Sequence, residues 1–452
     1  MKVKFMRIHF IGIGGIGVSA LARYYLAKGN QVSGSDLASS EITNALKELS
    51  AKIFIGPHLA ENLADNADIV IYSPAIQPDN PELRKAHEFQ VIGFKFQILS
   101  YPEALGGLTK KYFTIAVSGA HGKSTTTAML SLIMEKAGLD PTVIIGTKLK
   151  EFKNSNCRVG ESKYLVIEAD EWNASFLNYW PKIIVLTNIE REHLDYYRDL
   201  EHIIKTFREY VCHLSEDGVL IANEDDCNIL NLKSQISNLK FKTKNFSIKQ
   251  KEAEELKKIL KIPGQHNIYN ALAALTVARE LGISDDVSFE ALLKYQGAWR
   301  RFEISEKKIN GKKITIIEDY GHHPTEVLAT LKAAREKFPD RKIWCVFQPH
   351  QYQRTFFLFD DFIRVFLEVL KESTDKAVLD NLILTDIYDV AGREKEDVKK
   401  RVNSKTVCEK INLPSAKHIQ RGEIADYLKN NFDGDVLIIM GAGSIYDLRK
   451  EL

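Results

Sequence analysis

The segment Gly119-Ala-His-Gly-Lys-Ser-Thr125 joins two glycines, a lysine and two hydroxyls at a spacing that suits phosphate chemistry. The run Thr114-Ile-Ala-Val-Ser118 feeds it, and further hydroxyls open a helical pattern over Ala128–Ala137. Main-chain N–H groups of such a turn, with the positive end of the helix, cradle phosphate oxygens. Lys123 adds a point charge near the β/γ-phosphates, and Ser124 or Thr125 a hard oxygen for Mg2+. Gly119 and Gly122 are the glycines and position 117 is Val, so the bend is shorter than the general GxxxxGK form. Glycines that merely turn a strand into a helix would explain neither the lysine nor the hydroxyl run.

Other polar groups collect where apolar runs end. Gly12-x-Gly14-x-x-Gly17 follows Arg7–Ile11, and Asp36 closes the next strand-like run, Gln31–Asp36. This fits a diphosphate ester of any kind, because its donors are main-chain amides that read no base. Ile167-Glu-Ala-Asp-Glu-Trp172 and Thr187-Asn-Ile-Glu-Arg-Glu-His-Leu-Asp195 place carboxylates and His193 after two consecutive buried runs. Glu168 and His193, with a phosphate-loop hydroxyl, suit a Mg2+ pair bridging ATP phosphate and a second anionic substrate. Any one of these acids, taken singly, is equally a solvated turn residue. Gly264-Gln-His-Asn-Ile-Tyr-Asn270 opens an alanine-rich helix, where Asn267 serves as an N-cap or the polar side chains bond a nucleobase. Arg300 and Arg301 offer guanidinium groups that can clamp phosphate, or are simply solvated. His322, His323, His350 and Arg354 cluster at the ends of two further strands, which packing alone does not explain; Pro324 suits the first turn of the helix that follows.

Positioning these groups calls for alternating strands and helices, hence parallel sheets covered on both faces. Strands are expected at Arg7–Ile11, Gln31–Asp36, Ile53–Ile55, Asp68–Tyr72, Tyr164–Ile167, Ile183–Thr187, Ile314–Glu318, Ile343–Phe347, Leu382–Asp386 and Asp435–Met440. Helical patterns cover Val18–Lys28, Asn267–Leu281, Thr325–Phe338 and Phe362–Lys371. Tyr101-Pro102 with Gly106-Gly107, and then Gly297, interrupt the alternation. The expected domains are therefore residues 1–107, 108–297 and 298–452, each an α/β unit.

Bulk properties fit that architecture. The 452 residues suffice for two to four domains, and 44% hydrophobic with 27% charged residues is ordinary for a globular chain. A net charge of +2 gives no reason to expect nucleic acid or an anionic membrane as partner. The five cysteines include no CxxC pair, which fits reduced thiols in a cytoplasmic setting. Residues 1–10 do not read as a signal peptide, and no apolar run approaches the roughly 20 residues that span a bilayer. A soluble cytoplasmic enzyme, monomeric or a homodimer, is the expectation.

In order along the chain, FIGIGGIG, SGSD, SPAIQPDNPEL, SGAHGKSTTT, EADEWNASF, TNIEREHLD, GQHNIYNALAA, RRFE, EDYGHHPTE, FQPHQYQRT and MGAGSI together resemble the Mur ligase family of ATP-dependent amide ligases. The resemblance implies a Rossmann-like N-terminal domain that binds a UDP-sugar, a P-loop ATPase-type central domain, and a Rossmann-like C-terminal domain for the incoming amino acid. It implies ATP and Mg2+ as cofactors, UDP-N-acetylmuramate and L-alanine as substrates, and a role in peptidoglycan precursor synthesis. A relative that attaches a recycled tripeptide is the alternative; an NAD oxidoreductase and a non-catalytic binding protein are further ones. On this resemblance Gly12, Gly14, Gly15, Asp36 and Ser73 hold the uridine nucleotide. Gly119, Ala120, His121, Gly122, Lys123, Ser124 and Thr125 hold ATP, with Ser124, Thr125, Glu168 and His193 toward the metal. His266, Asn267 and Asn270 face adenine, and Arg301 and Asp319 complete the nucleotide site. Lys123, His193, His323 and Arg354 are the catalytic candidates, the last two near the carboxylate end of the substrates. The chain departs from the family pattern at Gln351 (for arginine), at Ser444 (for aspartate), and in a shortened stretch between Asn223 and Gly264 whose clear element is the charged helix Lys251–Lys261. Arg208 stands roughly where some members carry a carbamylated lysine, so no carbamate is expected.

Overall fold

Runs that are apolar at every position cannot leave one face in water, so they must form a sheet with both faces covered. The structure, a computed structural model, describes residues 5–91, 93, 96–371, 377–390, 394 and 396–452. Eighteen strands form three sheets among them. The first contains β1 (Arg7–Ile11), β2 (Gln31–Asp36), β3 (Lys52–Ile55), β4 (Ile69–Tyr72) and β5 (Gln97–Ser100), in the order β3-β2-β1-β4-β5 and all parallel. The second contains β6 (Phe113–Ser118), β7 (Thr142–Leu149), β8 (Ser155–Arg158), β9 (Tyr164–Glu168), β10 (Ile183–Leu186), β11 (Val219–Asn223) and β12 (Lys242–Phe246), ordered β12-β11-β10-β6-β9-β7-β8. The third contains β13 (Glu303–Ile309), β14 (Lys312–Asp319), β15 (Ile343–Phe347), β16 (Asn381–Leu384), β17 (Ala416–His418) and β18 (Val436–Met440), ordered β13-β14-β18-β15-β16-β17.

The expected parallel sheets are present, with two exceptions at their edges. β8 runs antiparallel to β7, and β13 antiparallel to β14. In the third sheet the side chains of β15 alternate between two cores. Ile343, Cys345 and Phe347 join Leu331, Phe362 and Phe366 on one face. Trp344 and Val346 join Ile424 and Leu428 on the other. That two-sided burial explains why the run is apolar throughout.

Contacts divide the chain into two compact units. One comprises Met1–Ile189, Ile204–Ser247 and Ala271–Leu292, and so carries the first two sheets. The other comprises Glu190–Ile203, Ile248–Asn270 and Leu293–Leu452, and carries the third. Within the first unit the two sheets are tied together. Asn156 Nδ2 on β8 donates to Ser19 Oγ (2.9 Å), on the helix that follows β1, and Lys148 pairs with Glu41 at 2.9 Å. No helix among the described residues is long and apolar enough to cross a membrane.

Two local expectations need correction. Tyr101-Pro102 and Gly106-Gly107 do not interrupt the structure but lie in a helix, Tyr101–Thr109. Ser100 and Glu103 form its capping box, and proline is tolerated in a first turn. Gly106 is needed for a close approach: a Cβ there would lie 2.3 Å from the carbonyl oxygen of Asn178. Between Asn223 and Gly264 the chain holds more than the charged helix, here Glu252–Ile259. A helix, Cys227–Gln235, and the edge strand β12 also lie there. β12 reads Lys-Thr-Lys-Asn-Phe and is mostly exposed, so it has no apolar signature; lysines are common on edge strands.

Gly106→Ala is expected to lower unfolding free energy by about 1–3 kcal/mol, the usual cost of an overpacked contact. Urea denaturation measures it, and an unchanged midpoint would contradict the tight approach to Asn178.

Candidate active site

β6 is flanked by β10 and β9, so the bend after Ser118 emerges between two other strand ends. Gly119 has φ +134° and Gly122 φ +85°, conformations that L side chains rarely adopt. A Cβ at Gly119 would stand 2.2 Å from Thr187 Oγ1. Residues just past β10 hold the bend in shape. Thr187 Oγ1 donates to the His121 carbonyl (2.6 Å) and Asn188 Nδ2 to the same oxygen (3.0 Å). The His121 amide donates to Asn188 Oδ1 (2.8 Å), and the Ala120 amide to the Asn188 carbonyl (3.2 Å). With those two amides engaged, the donors suited to phosphate are the first N–H groups of the helix Lys123–Lys136, which have no intrahelical acceptor. Ser124 and Thr125 are buried in that first turn.

The Lys123 ammonium is held at four points. It donates to the carbonyls of Gly119 (2.7 Å) and Ala120 (3.2 Å) and to both carboxylate oxygens of Glu171 (3.1 and 2.8 Å). Burial disfavours the charged lysine, but Glu171, Asp170 and Glu168 outweigh it and hold its pKa above the usual value. Glu168 ends β9 opposite Val117 of β6, and its carboxylate accepts from the Gly146 amide. Hydroxyl and carboxylate oxygens around the bend are the donor set that Mg2+ prefers, so the residues present fit the ion.

The first sheet presents a second, glycine-built bend. Gly12 and Ile13 amides donate to the Ser35 carbonyl at 2.9 and 3.0 Å. The Gly14 amide donates to Asp36 Oδ2 (2.8 Å), so Asp36 holds the bend itself. Gly15 caps the helix Ile16–Ala27, and Ser73 follows β4 close beside Gly12. The structure thus gathers Gly12, Gly14, Gly15, Asp36 and Ser73 at neighbouring strand ends, where open α/β sheets bind ligands.

The second unit carries the remaining candidates. Arg354 is buried, with Nε 2.9 Å and Nη2 2.8 Å from Glu192 Oε1. Its Nη1 also donates to the His350 carbonyl (3.0 Å). Burial pushes the Glu192 carboxyl up, but Arg354 and the neighbouring histidines more than reverse this and hold it well below the usual range. Glu192, Arg354, His193, Asp195 and Gln351 line one hollow. His193 and Gln351 both have positive φ, +55° and +73°, a strain that concentrates at functional positions. The His322 pKa is lowered to about 4, first by desolvation and then by Arg354, so the ring is neutral at physiological pH.

His323 caps the helix Pro324–Lys337. Its Nδ1 accepts from the Thr325 amide (3.3 Å), while Nε2 lies 3.1 Å from the Arg191 carbonyl, which calls for the Nε2–H tautomer. Asp319 is buried, and its oxygens accept from the Phe302 (2.9 Å) and Gly321 (2.7 Å) amides. Arg300 is an internal anchor, donating to the carbonyls of Gly441 and Gly443 and packed on the Tyr446 ring at 4.4 Å. Arg301 is the more exposed of the two and stacks on Tyr320. His266, Asn267 and Asn270 lie in the first turns of the helix Gln265–Glu280. Asn267 is therefore inside the helix rather than its N-cap, and its Nδ2 donates back to the Pro263 carbonyl (2.6 Å).

Four residues that organise these places were not singled out from the sequence: Thr187, Asn188, Glu171 and Glu192. All belong to the segments after β9 and β10. Their type was visible there, but which carboxylate meets which cation was not.

Three α/β sheets, a lysine-bearing phosphate bend on the middle one and a glycine bend on the first define a nucleotide-dependent ligase architecture. The chain belongs to the Mur ligase family: the family's catalytic domain matches residues 7–113, its middle domain residues 117–278, and its glutamate ligase domain residues 300–443. The UDP-N-acetylmuramate–L-alanine ligase of Clostridium botulinum (strain Hall) is 40% identical over 91% of this chain and 89% of its own. The enzyme of that name from Acetivibrio thermocellus is 41% identical over 91% and 88%. The crystal structure of a UDP-N-acetylmuramate–alanine ligase from Thermotoga maritima superposes with a TM-score of 0.77 at 27% identity, covering 99% of this chain and 98% of that one. A murein peptide ligase from Psychrobacter arcticus shares the fold, with a TM-score of 0.71 at 22% identity over 99% and 98% of the two chains.

Glu192→Gln removes the countercharge of a buried arginine and is expected to cost about 3–5 kcal/mol. A carboxyl depressed on folding contributes stability above its unfolded pKa and loses it as pH falls through the folded value. Wild-type stability should therefore drop as pH goes below the ordinary carboxyl value of 4.5, and the variant should drop less steeply. Chemical denaturation at pH 7, 5, 4 and 3 tests both; parallel pH profiles would refute the assignment.

Proposed function

We propose that this protein joins L-alanine to the lactyl carboxylate of UDP-N-acetylmuramate, with ATP converted to ADP and phosphate. The single observation that carries the reading is the bend from Gly119 to Thr125, which sets an ammonium and free helix amides at one strand end. The names carried by the relatives at 40–41% identity favour the alanine-adding reaction over tripeptide attachment.

A carboxylate oxygen is a poor leaving group and phosphate a good one, so the acid is first phosphorylated and the amine then displaces phosphate. Lys123 and the amides of Ser124 and Thr125 hold the transferring phosphoryl group and stabilise the charge that builds on it. Gly12, Gly14, Gly15 and Ser73 hold the diphosphate of the sugar nucleotide, with Asp36 fixing the bend. Mg2+ held through Ser124, Thr125, Glu168 and His193 would supply charge neutralisation between the two anions. His266, Asn267, Asn270, Arg301 and Asp319 serve the nucleotide, and Arg354 the carboxylate of a substrate. For the amine proton, His193 and His323 are the candidate bases: His193 serves only when it does not hold the metal, and His323 only by giving up one of its main-chain bonds. The corresponding functional domains are those expected at residues 1–107, 108–297 and 298–452, with the first limit moved to the end of the helix Tyr101–Thr109.

Phosphate release from ATP is expected only when UDP-N-acetylmuramate and L-alanine are both present; equal release without the sugar nucleotide, or preference for a tripeptide in a panel with glycine and L-serine, would reject the reading. Lys123→Ala should reduce turnover about 10²–10³-fold, with the melting temperature recorded to separate misfolding from lost chemistry.

Glu171 engages the same ammonium that phosphate needs. Glu171→Gln should therefore bind ADP more tightly, by about one order of magnitude or roughly 1.4 kcal/mol. Calorimetric titration decides this, and weaker or unchanged binding would show that the pair does not compete with nucleotide.

A further inference from the structure

Beneath the glycine bend of the first sheet lies a buried carboxylate held between two imidazoles, and nothing in the reaction described above uses it. Glu82 has no solvent exposure, and His9 on β1 is 1% exposed. His9 Nε2 is 2.7 Å from Glu82 Oε2, and its Nδ1 is 2.9 Å from Ser33 Oγ. His58 Nδ1 is 2.8 Å from Glu82 Oε1 and 3.0 Å from Ser35 Oγ. Asn62 Nδ2 donates to Glu82 Oε1 (3.3 Å), and Asn80 Oδ1 accepts from the Glu82 amide (3.0 Å). Burial pushes the Glu82 carboxyl up, yet hydrogen bonds from His9, Ser35 and His58 outweigh it and leave it below the usual value. An ionised carboxylate with several donors and no water contact is a rigid hub, and losing one partner leaves the others unsatisfied.

The hub reaches the bend through Ser35. The Ser35 side chain meets His58, while its carbonyl accepts the Gly12 and Ile13 amides at 2.9 and 3.0 Å. One residue further, Asp36 accepts from Gly14. Ser33 and Ser35 lie on β2, which pairs with β1 residue by residue, His9 opposite Ser33 and Ile11 opposite Ser35. Glu82 itself sits in the first turn of the helix Pro81–Val91, whose connection to β4 contains Ser73. The carboxylate therefore ties together the strand that carries the bend's acceptors and the helix beyond the segment that carries Ser73. Both sides of the expected diphosphate site hang on it.

We propose that Glu82, acting with His9 and His58, is a positioning residue for the sugar nucleotide: it fixes Ser35, and through it the Gly12–Gly14 amides, at the spacing that diphosphate binding requires. Glu82 does not touch the substrate. The inference rests on the assignment of the glycine bend to UDP-N-acetylmuramate. Its signature is a selective loss of affinity for one substrate, since neither Lys123 nor its partners belong to the network.

The test is steady-state kinetics of the full chain with UDP-N-acetylmuramate and ATP varied separately, on wild type, Glu82→Gln, Ser35→Ala and Gly14→Ala. Glu82→Gln should raise KM for the sugar nucleotide about tenfold, with KM for ATP and kcat changed less than threefold; Ser35→Ala should shift the same constant by a smaller factor. Equal changes in both KM values and kcat, or no change, overturns the proposal. Should Glu82→Gln fail to fold, His58→Gln, which spares the His9–Glu82 bond, carries the same expectation. Gly14→Ala separates the two readings. If it weakens the sugar nucleotide while Glu82→Gln does not, the network is merely structural. If it leaves that affinity intact, the bend is not the site, and the proposal falls with it.

Discussion

An ammonium drawn largely out of water must be matched by negative charge, and the glycine–lysine bend depends on how that match is made. Lys123 is matched by Glu171 and by carbonyls of its own bend, so the charge is held in place before any phosphate arrives. Glu171, Asp170 and Glu168 together outweigh the desolvation of Lys123 and keep it in the charged form that phosphoryl stabilisation needs.

The same device recurs on each sheet. Asp36 accepts from the Gly14 amide on the first, Glu171 pairs with Lys123 on the second, and Asp319 accepts from the Phe302 and Gly321 amides on the third. In each case a carboxylate just past or at the end of a strand fixes the segment beside it, through main-chain amides on the first and third sheets and through the Lys123 ammonium on the second. Main-chain amides recognise phosphate only if their directions are fixed, and a short loop cannot fix them by itself. Strand ends supply the rigidity, because a residue after one strand lies within hydrogen-bonding reach of the turn leaving the next. Thr187 and Asn188 hold Ala120 and His121 in that way.

Much of this was legible beforehand. The runs Arg7–Ile11 and Ile343–Phe347 are strands with those limits, because apolar residues mark them and Gly12 or Gln348 closes them, and Gln31–Asp36 also has its expected limits although Val32 is its one aliphatic residue. Where burial does not dictate composition the reading was weaker. β12 is a lysine-rich edge, and the helix Tyr101–Thr109 carries a proline and two glycines for reasons that lie in its cap and in Asn178. His323 shows the same limit at a single residue: its type suggested a proton carrier, and its position makes it a helix cap.

The amino-acid order alone determined the alternation of elements, the three sheets and the place of the glycine–lysine bend, because hydrophobic periodicity and a glycine–lysine turn are local properties. Pairings between distant segments were decided only in three dimensions. Glu171 rather than Glu168 meets Lys123, Glu192 meets Arg354, and Glu82 gathers two histidines from 73 and 24 positions away. Partner choice depends on strand order and register, which bring together residues that no spacing along the chain connects.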